Sequence, residues 1–421
     1  MELSALPLLA AVIAIVYGVL YVVYGYIKVL YLRRRMPPGP FPFPVFGNIF
    51  QIVPIRHWMQ FENWSHTYNS PIITVWEGRK PTLCDKRANL YSSRAIKNVS
   101  GKIFGLHKLN QAGLPYGEQW KVYRRLTHAA ANAQVVQTYR PVQKWEAKIL
   151  PYDCMRNPEM LHESFFGSAN LGFPGKTYTE AIPELMYLPS WLNPLPSIVR
   201  GLAVTSNKYL YALCVEAQES TQDNFTKRLL REKKEQGLTK IEIANLTGNF
   251  IGGGVDTTTS TILSFILAMV LHPDTKKRAQ KETDAVRFWP DRFLDDFDKP
   301  PYPNKRGHHT FGCGRRVCSG EPLVHQSMYI ITVNFLWAFN IRPGLDDKTR
   351  SDSEAYGVSQ VSSPLPFRVR LEPRSEAIRD MLGETAVAGA SGLQAYDGET
   401  HVTFESAQSV SFDMPVAPAE A

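Results

Sequence analysis

Cysteine is scarce in this chain. Its 421 residues include five cysteines, Cys84, Cys154, Cys214, Cys313 and Cys318. They are too few and too scattered for a disulfide framework, and their odd number leaves at least one free thiol. That fits a reducing compartment. No Cys-x-x-Cys pair occurs and no internal repeat is visible. Basic residues are missing from 380–421, which hold seven acidic residues and no Lys or Arg. The whole chain is at +8, so the rest of it carries +15. A basic body suits nucleic acid, a membrane surface or an acidic partner protein. With 44% hydrophobic and 20% charged residues, wholesale disorder is excluded.

Residues 6–32 are apolar or aromatic, with one charge, Lys28, near the end. A helix rising about 1.5 Å per residue over that length crosses a hydrocarbon core of about 30 Å with some tilt. Tyr17, Tyr21, Tyr24, Tyr26 and Tyr31 crowd its C-terminal half, and Arg33, Arg34 and Arg35 follow. This predicts an anchor over 1–35 whose C-terminal side is cytosolic. A cleaved signal peptide fits less well, because the apolar stretch is too long and the basic cluster comes after it. Five prolines over 36–47 predict a stiff, extended hinge; a proline-rich ligand for another protein's groove is the alternative.

The body reads as mostly helical with small sheets. Residues 72–76 and 81–84 flank Glu77-Gly78-Arg79-Lys80 as a hairpin. Residues 116–140 read as a helix, with Gly117 before it and Pro141 stopping it. Residues 183–196 read as a loop, 227–236 as a solvated, charge-dense helix face. Residues 241–271 form a long apolar run, ended by His272-Pro273-Asp274, which opens a charged helix over 275–286. Residues 367–371 alternate like a strand. The acidic, Ala- and Gly-rich segment 374–421 is expected to be a disordered tail.

The densest chemistry lies in Phe311-Gly312-Cys313-Gly314-Arg315-Arg316-Val317-Cys318-Ser319-Gly320. Glycines allow tight turns and close backbone approach to a ligand. Turned N–H groups and arginines favour a thiolate, and a deprotonated Cys318 is an apt iron ligand. A helix resumes over 323–337, which places that charge near a helix N-terminus. Zinc is the rival reading, with His308, His309, Cys313 and Cys318 as ligands. Adjacent histidines chelate one metal poorly, however. A surface turn with incidental cysteines is the bland alternative.

A second irregularity sits inside the long apolar run: Gly252-Gly253-Gly254-Val255-Asp256-Thr257-Thr258-Thr259-Ser260-Thr261. Each glycine costs about 1 kcal/mol against alanine in a helix. Local violations at a buried place tend to mark function. Bare backbone leaves room for a flat cofactor, and an acid beside a hydroxyl can deliver protons. The alternative is a loop that splits two helices, with Asp256 or Thr257 as an N-cap.

The cysteine loop resembles the haem-binding signature of the cytochrome P-450 family. Phe311, Gly314, Arg316, Cys318 and Gly320 match each fixed position. The stretch from Gly253 and Gly254 to Asp256, Thr257 and Thr258 resembles that family's distal-helix motif. Trp120 and Arg124, four apart on one helix face, match its Trp-x-x-x-Arg; alone they would read as a cation–π surface pair. Phe288-Trp289-Pro290-Asp291-Arg292-Phe293 resembles its Pro-x-Arg-Phe segment.

The resemblance, closest to membrane-bound fungal enzymes, implies haem b with Cys318 as its thiolate ligand. Phe311 would shield the sulfur, and Arg316, Trp120 and Arg124 would reach the propionates. Asp256 and Thr257 would support dioxygen binding and protonation. It further implies a monooxygenase acting on a lipophilic substrate, in an endoplasmic reticulum membrane. Electrons would come from an NADPH-cytochrome P-450 reductase, with cytochrome b5 as a further partner. On that reading the basic body (48–373) serves protein docking rather than nucleic acid.

The pattern also breaks. The family's Glu-x-x-Arg helix should lie between 275–286 and 288–293, where only Arg287 intervenes. Arg292 thereby loses its triad partners, and apolar surface loses its cover. Smaller losses are expected near Cys84–Asp85 and near 165–168. An incomplete cytochrome P-450 fold is the expectation. Its source is either a mis-spliced or mispredicted gene of an active enzyme, or a degenerate relative that holds haem without turnover.

Overall fold

The computed structural model describes residues 5–53, 57–70, 72–82, 93, 96, 98–157, 183–284, 310–312, 314–345, 355–357, 361–394 and 400–411. They fall into two units. The first takes Met1–Tyr91, Ala95–Phe104 and Ala169–Arg200; the second takes Ser92–Arg94, Gly105–Ser168 and Gly201–Ala421.

In the first unit, α1 (Ala5–Arg33) is long and apolar enough to cross a membrane. After it come α2 (His57–Thr67) and the expected hairpin, β1 (Val75–Glu77) and β2 (Lys80–Thr82), with Trp76 opposite Pro81. The turn is two residues, Gly78-Arg79, tighter than four. Gly78 has φ 61°, which suits the first position of a hairpin turn.

The proline-rich hinge is not a free arm. Its prolines lack N–H donors but still offer carbonyls. Thr74 donates from N to Pro38 O (2.9 Å) and from Oγ1 to Pro37 O (2.7 Å). The fully buried Asn48 donates to Phe41 O (3.2 Å) and accepts from the amide of Trp76 (2.7 Å). A Cβ at Gly39 would lie 2.1 Å from Thr74 O, so only glycine fits there. Tyr26 (3.1 Å to Pro42 O) and Arg33 (3.1 Å to Gly39 O) bond α1 to the same strap. A proline ligand waiting for another protein's groove would not be packed in this way.

The second unit is built on helices. After the short α3 (Leu106–Leu109) come α4 (Glu118–Ala131) and α5 (Ala133–Arg156). Here the structure corrects the sequence reading: the break falls at Asn132, and Pro141 lies inside α5. Asn132 ends one helix and caps the next, its side chain accepting from the amides of Gln134 and Val135. Packing of α5 along two neighbours outweighs the proline's penalty of about 3 kcal/mol.

Helix α6 (Leu195–Glu219) follows, its residues from Gly201 on belonging to this unit. After α7 (Phe225–Arg231) and α8 (Lys233–Gln236) comes α9 (Lys240–Leu271), then α10 (Pro273–Asp284) and α11 (Glu321–Ala338). Strands β3 (Phe339–Pro343) and β4 (Val369–Pro373) pair antiparallel, with Ile341 opposite Leu371.

Where a disordered tail was expected, the structure has α12 (Glu376–Leu393) and a last turn, α13 (Phe404–Ala407). Leu382, Ala386 and Gly389 repeat at helical spacing and are buried. A Cβ on Gly389 would meet Trp145 O and Ile149 Cγ1 at 2.9 Å. The small residues are therefore a close-packing face against α5, not a sign of disorder.

Two apolar clusters hold the ends of α9. Ile243 and Leu246 pack with Tyr123, Leu126 and Leu229. Leu263 and Ile266 pack with Phe335, Phe339, Ile341 and Leu382. Between them no residue of α9 from 247 to 259 is buried. That bare middle is the glycine–threonine stretch.

Candidate haem site

Helix α9 is unbroken, so the loop alternative for Gly252–Thr258 does not hold. A capping box starts it: Thr239 Oγ1 accepts from the amide of Glu242, whose carboxylate accepts from the amide of Thr239. The three glycines together cost about 3 kcal/mol, which the two buried ends offset. Three hydroxyls of the stretch answer to the helix or a neighbour. Thr257 Oγ1 donates to Gly253 O (2.6 Å), Thr261 Oγ1 to Thr257 O (2.8 Å), and Ser260 Oγ to Ser362 O (2.7 Å).

The cysteine loop turns on Gly312 and Gly314, at φ 69° and 65°. A side chain at either position would be strained. Gly314–Arg316 forms one 3-10 turn, and the amide of Cys318 donates to Phe311 O (2.9 Å), which closes the loop. Gly320 caps α11, and Cys318 is a free, exposed thiol two residues before that cap.

One cavity of about 890 Å³ brings these two elements together. Gly253, Gly254, Thr257 and Thr258 line it from α9, and Phe311, Cys318 and Gly320 from the loop. A Cβ at Gly253 or Gly254 would meet nothing within 4 Å, so the space beside that backbone is open. Asp256 is half-buried on α9 and is not among the lining residues.

The sequence-predicted propionate group is only partly assembled as expected. Trp120 does not pair with Arg124; the guanidinium over its ring is that of Arg316, at 4.4 Å. Arg316 donates to Gln111 O (3.2 Å) and Leu114 O (2.8 Å). Arg124 is half-buried; burial holds its pKa below the usual arginine value, and a neighbouring Cys318 charge opposes that shift. Among the described residues Arg124 has no carboxylate partner, and the buried Nε1 of Trp120 has no acceptor. A half-buried cation, an orphaned N–H, a bare helix face and an exposed thiol fit a flat, dianionic, iron-bearing group. The residues present thus fit haem.

Sequence reasoning missed Asn110, Gln111 and Asn249. Gln111 and Asn249 line the cavity, and Asn110 bonds to Asn249 across 139 positions of sequence. No local pattern signals such a contact. Arg292, His308, His309, Cys313 and the segment 288–293 lie outside the described residues, as do Cys84, Asp85 and 165–168. Among the described residues no group of three metal-ligating side chains forms.

These features define a helical protein that presents an exposed thiol and a bare stretch of helix to a common chamber. Its similarity is to the cytochrome P-450 family. The family profile "Cytochrome P-450" matches residues 182–287 and 283–369. The chain is 25% identical to cytochrome P-450 monooxygenase aneD of Aspergillus aculeatus, covering 82% of this chain and 89% of that one. It is 25% identical to monooxygenase FrzL of Cladobotryum sp, over 90% and 94%. It is 29% identical to monooxygenase 226 of Postia placenta, over 60% and 58%.

Proposed function

We propose that the chain is a haem-dependent monooxygenase of the microsomal type, inserting one oxygen atom into a lipophilic organic substrate. One observation carries this reading: Cys318 and the bare Gly253–Gly254 backbone line the same cavity. When bound, haem supplies dioxygen activation, with one atom going to substrate and the other to water. Cys318 would hold the iron as thiolate and would lend it that negative charge. Arg124 and the Trp120 indole N–H would take the propionates. Arg316, stacked on Trp120, would hold the loop 111–114 in place rather than bind a propionate itself.

On α9, Gly253 and Gly254 would leave room for the flat ring. Thr257 would hold a hydroxyl proton at the cavity wall, with Asp256 behind it as the nearest acid. The apolar side chains Leu323, Val324 and Met328 exclude water from the opposite wall. By analogy with fungal relatives the substrate belongs to secondary metabolism. Helix α1 would anchor the chain in the endoplasmic reticulum membrane with its body in the cytosol. A flavin reductase fed by NADPH, and cytochrome b5, would dock on the basic body.

The test is a pair of variants. Cys318→Ala should abolish the thiolate-type carbon monoxide spectrum. Thr257→Ala should keep that spectrum but uncouple oxygen consumption from product; unchanged coupling would count against its proton role.

A second reading has its own support. The family match breaks into two pieces that meet at 283–287, where the Glu-x-x-Arg helix is expected. The alignment to aneD runs over 468 positions, more than the 421 residues of this chain, while taking in 82% of it. The relative therefore has internal segments without counterpart here. On this reading the chain is a haem-thiolate protein that holds the group without turnover. Haem retained with no oxygen consumption for any substrate would select it.

A further inference from the structure

Helix α9 presents Asn249, Gly253, Thr257 and Thr261 at intervals of four, one face along the cavity. Among the described residues Asn249 is the only amide of α9 that lines the cavity, and its orientation is fixed by a neighbour. Asn110 Oδ1 accepts from the amides of Ala112 (2.8 Å) and Gly113 (3.3 Å), an Asx turn. That leaves Asn110 Nδ2 as the end directed at α9, where it donates to Asn249 Oδ1. Turning Asn249 over would set two NH₂ groups against each other. Its Nδ2 is therefore held as a donor, and that donor has no acceptor among the described residues and is shielded from solvent. Buried donors in native structures are rarely left unmade.

We infer that Asn249 is a specificity-determining residue: its Nδ2 takes an acceptor oxygen of the substrate, a carbonyl, ether or hydroxyl. The inference rests on the reading of this cavity as the substrate chamber. Shielding from bulk water gives the donor its full effect on discrimination. The substrate is then a lipophilic molecule that already carries oxygen at one end, and a plain hydrocarbon of the same shape binds more weakly. Asn110 is a positioning residue that sets which end of Asn249 faces the ligand. A site built to bond one polar group rejects analogues that lack it.

The experiment is calorimetric titration of the full chain, with haem supplied during expression, using tetralone and tetralin as a matched pair. Wild type should bind tetralone about tenfold more tightly than tetralin, the effect of one net hydrogen bond. Asn249→Asp keeps an oxygen for Asn110 and removes the donor, so the preference should vanish. Asn110→Ala leaves Asn249 in place but unpinned, and should reduce the preference. No preference in wild type, whether from equal binding or from none, overturns the assignment, as does a preference intact in Asn249→Asp. A carbon monoxide spectrum of the same preparations reads the haem separately. A thiolate band without ketone preference sinks the Asn249 assignment alone; preference without that band sinks the haem reading alone.

Discussion

The guanidinium of Arg316 lies 4.4 Å from the centre of the Trp120 ring, and the same arginine bonds two carbonyls of the loop before α4. One residue thus ties the cysteine loop to the helix that carries Trp120 and Arg124. Arg316→Lys loses the flat stack and the forked donation. It should destabilise the second unit by about 1–2 kcal/mol in urea unfolding. Trp120→Phe keeps a ring under Arg316 and removes the orphaned N–H together with part of the buried indole. That variant should lose about 1–3 kcal/mol of stability to the cavity, and should release haem several-fold faster to an apomyoglobin trap than Trp120→Tyr, Arg316→Lys or wild type does. Equal release rates would remove the indole from the propionate site.

Gly253 separates a structural glycine from a functional one. A side chain there meets open space, and glycine is a poor helix former. Gly253→Leu should therefore leave the apoprotein as stable, or raise its stability by up to about 1 kcal/mol. Haem per chain should fall sharply, because the added side chain occupies the chamber. A stable variant with full haem would show that the chamber lies elsewhere.

Gly389 sits where α12 meets α5, with a prospective Cβ at 2.9 Å from a backbone oxygen. Gly389→Val should cost about 1–3 kcal/mol through overpacking. Val387 on the outer face is 71% exposed, and Val387→Ala should change little. A thermal melt of both variants checks this. Equal melting points would mean that the C-terminal helix is not part of the core.

Cys154 gives the fold an alkaline limit. Burial, with the Asp153 charge adding to it, pushes its thiol up to about 12 from an ordinary 9. The folded state keeps the proton after the unfolded chain has lost it. The thiol's contribution is therefore complete below pH about 9 and declines as pH rises toward about 12. Between pH 8 and 10.5 the loss should be on the order of 2 kcal/mol. Cys154→Val should flatten that slope in urea melts, and an unchanged slope would assign it to other groups.

Much of the site was legible because its signals are local. The turns at Gly312 and Gly314, the cap at Gly320 and the thiol at Cys318 all lie within ten residues, and the fold sets them as the spacing suggests. The glycine–threonine stretch was legible as a violation, and α9 carries it only because both its ends are buried. What was not legible depends on distant partners. Arg316 finds acceptors 205 and 202 positions away, and Asn249 meets Asn110 across 139. The α12 helix hid behind small residues whose value appears only against Trp145 and Ile149. Pro141 misled because its local penalty is outweighed by packing.

The most direct measurement is a reduced carbon monoxide difference spectrum of the full chain expressed in membranes. A strongly red-shifted Soret band, lost in Cys318→Ala, is the predicted result, since it reports haem iron held by a thiolate. No haem signal, or only the band of a neutral-ligand haem, would contradict the assignment of Cys318.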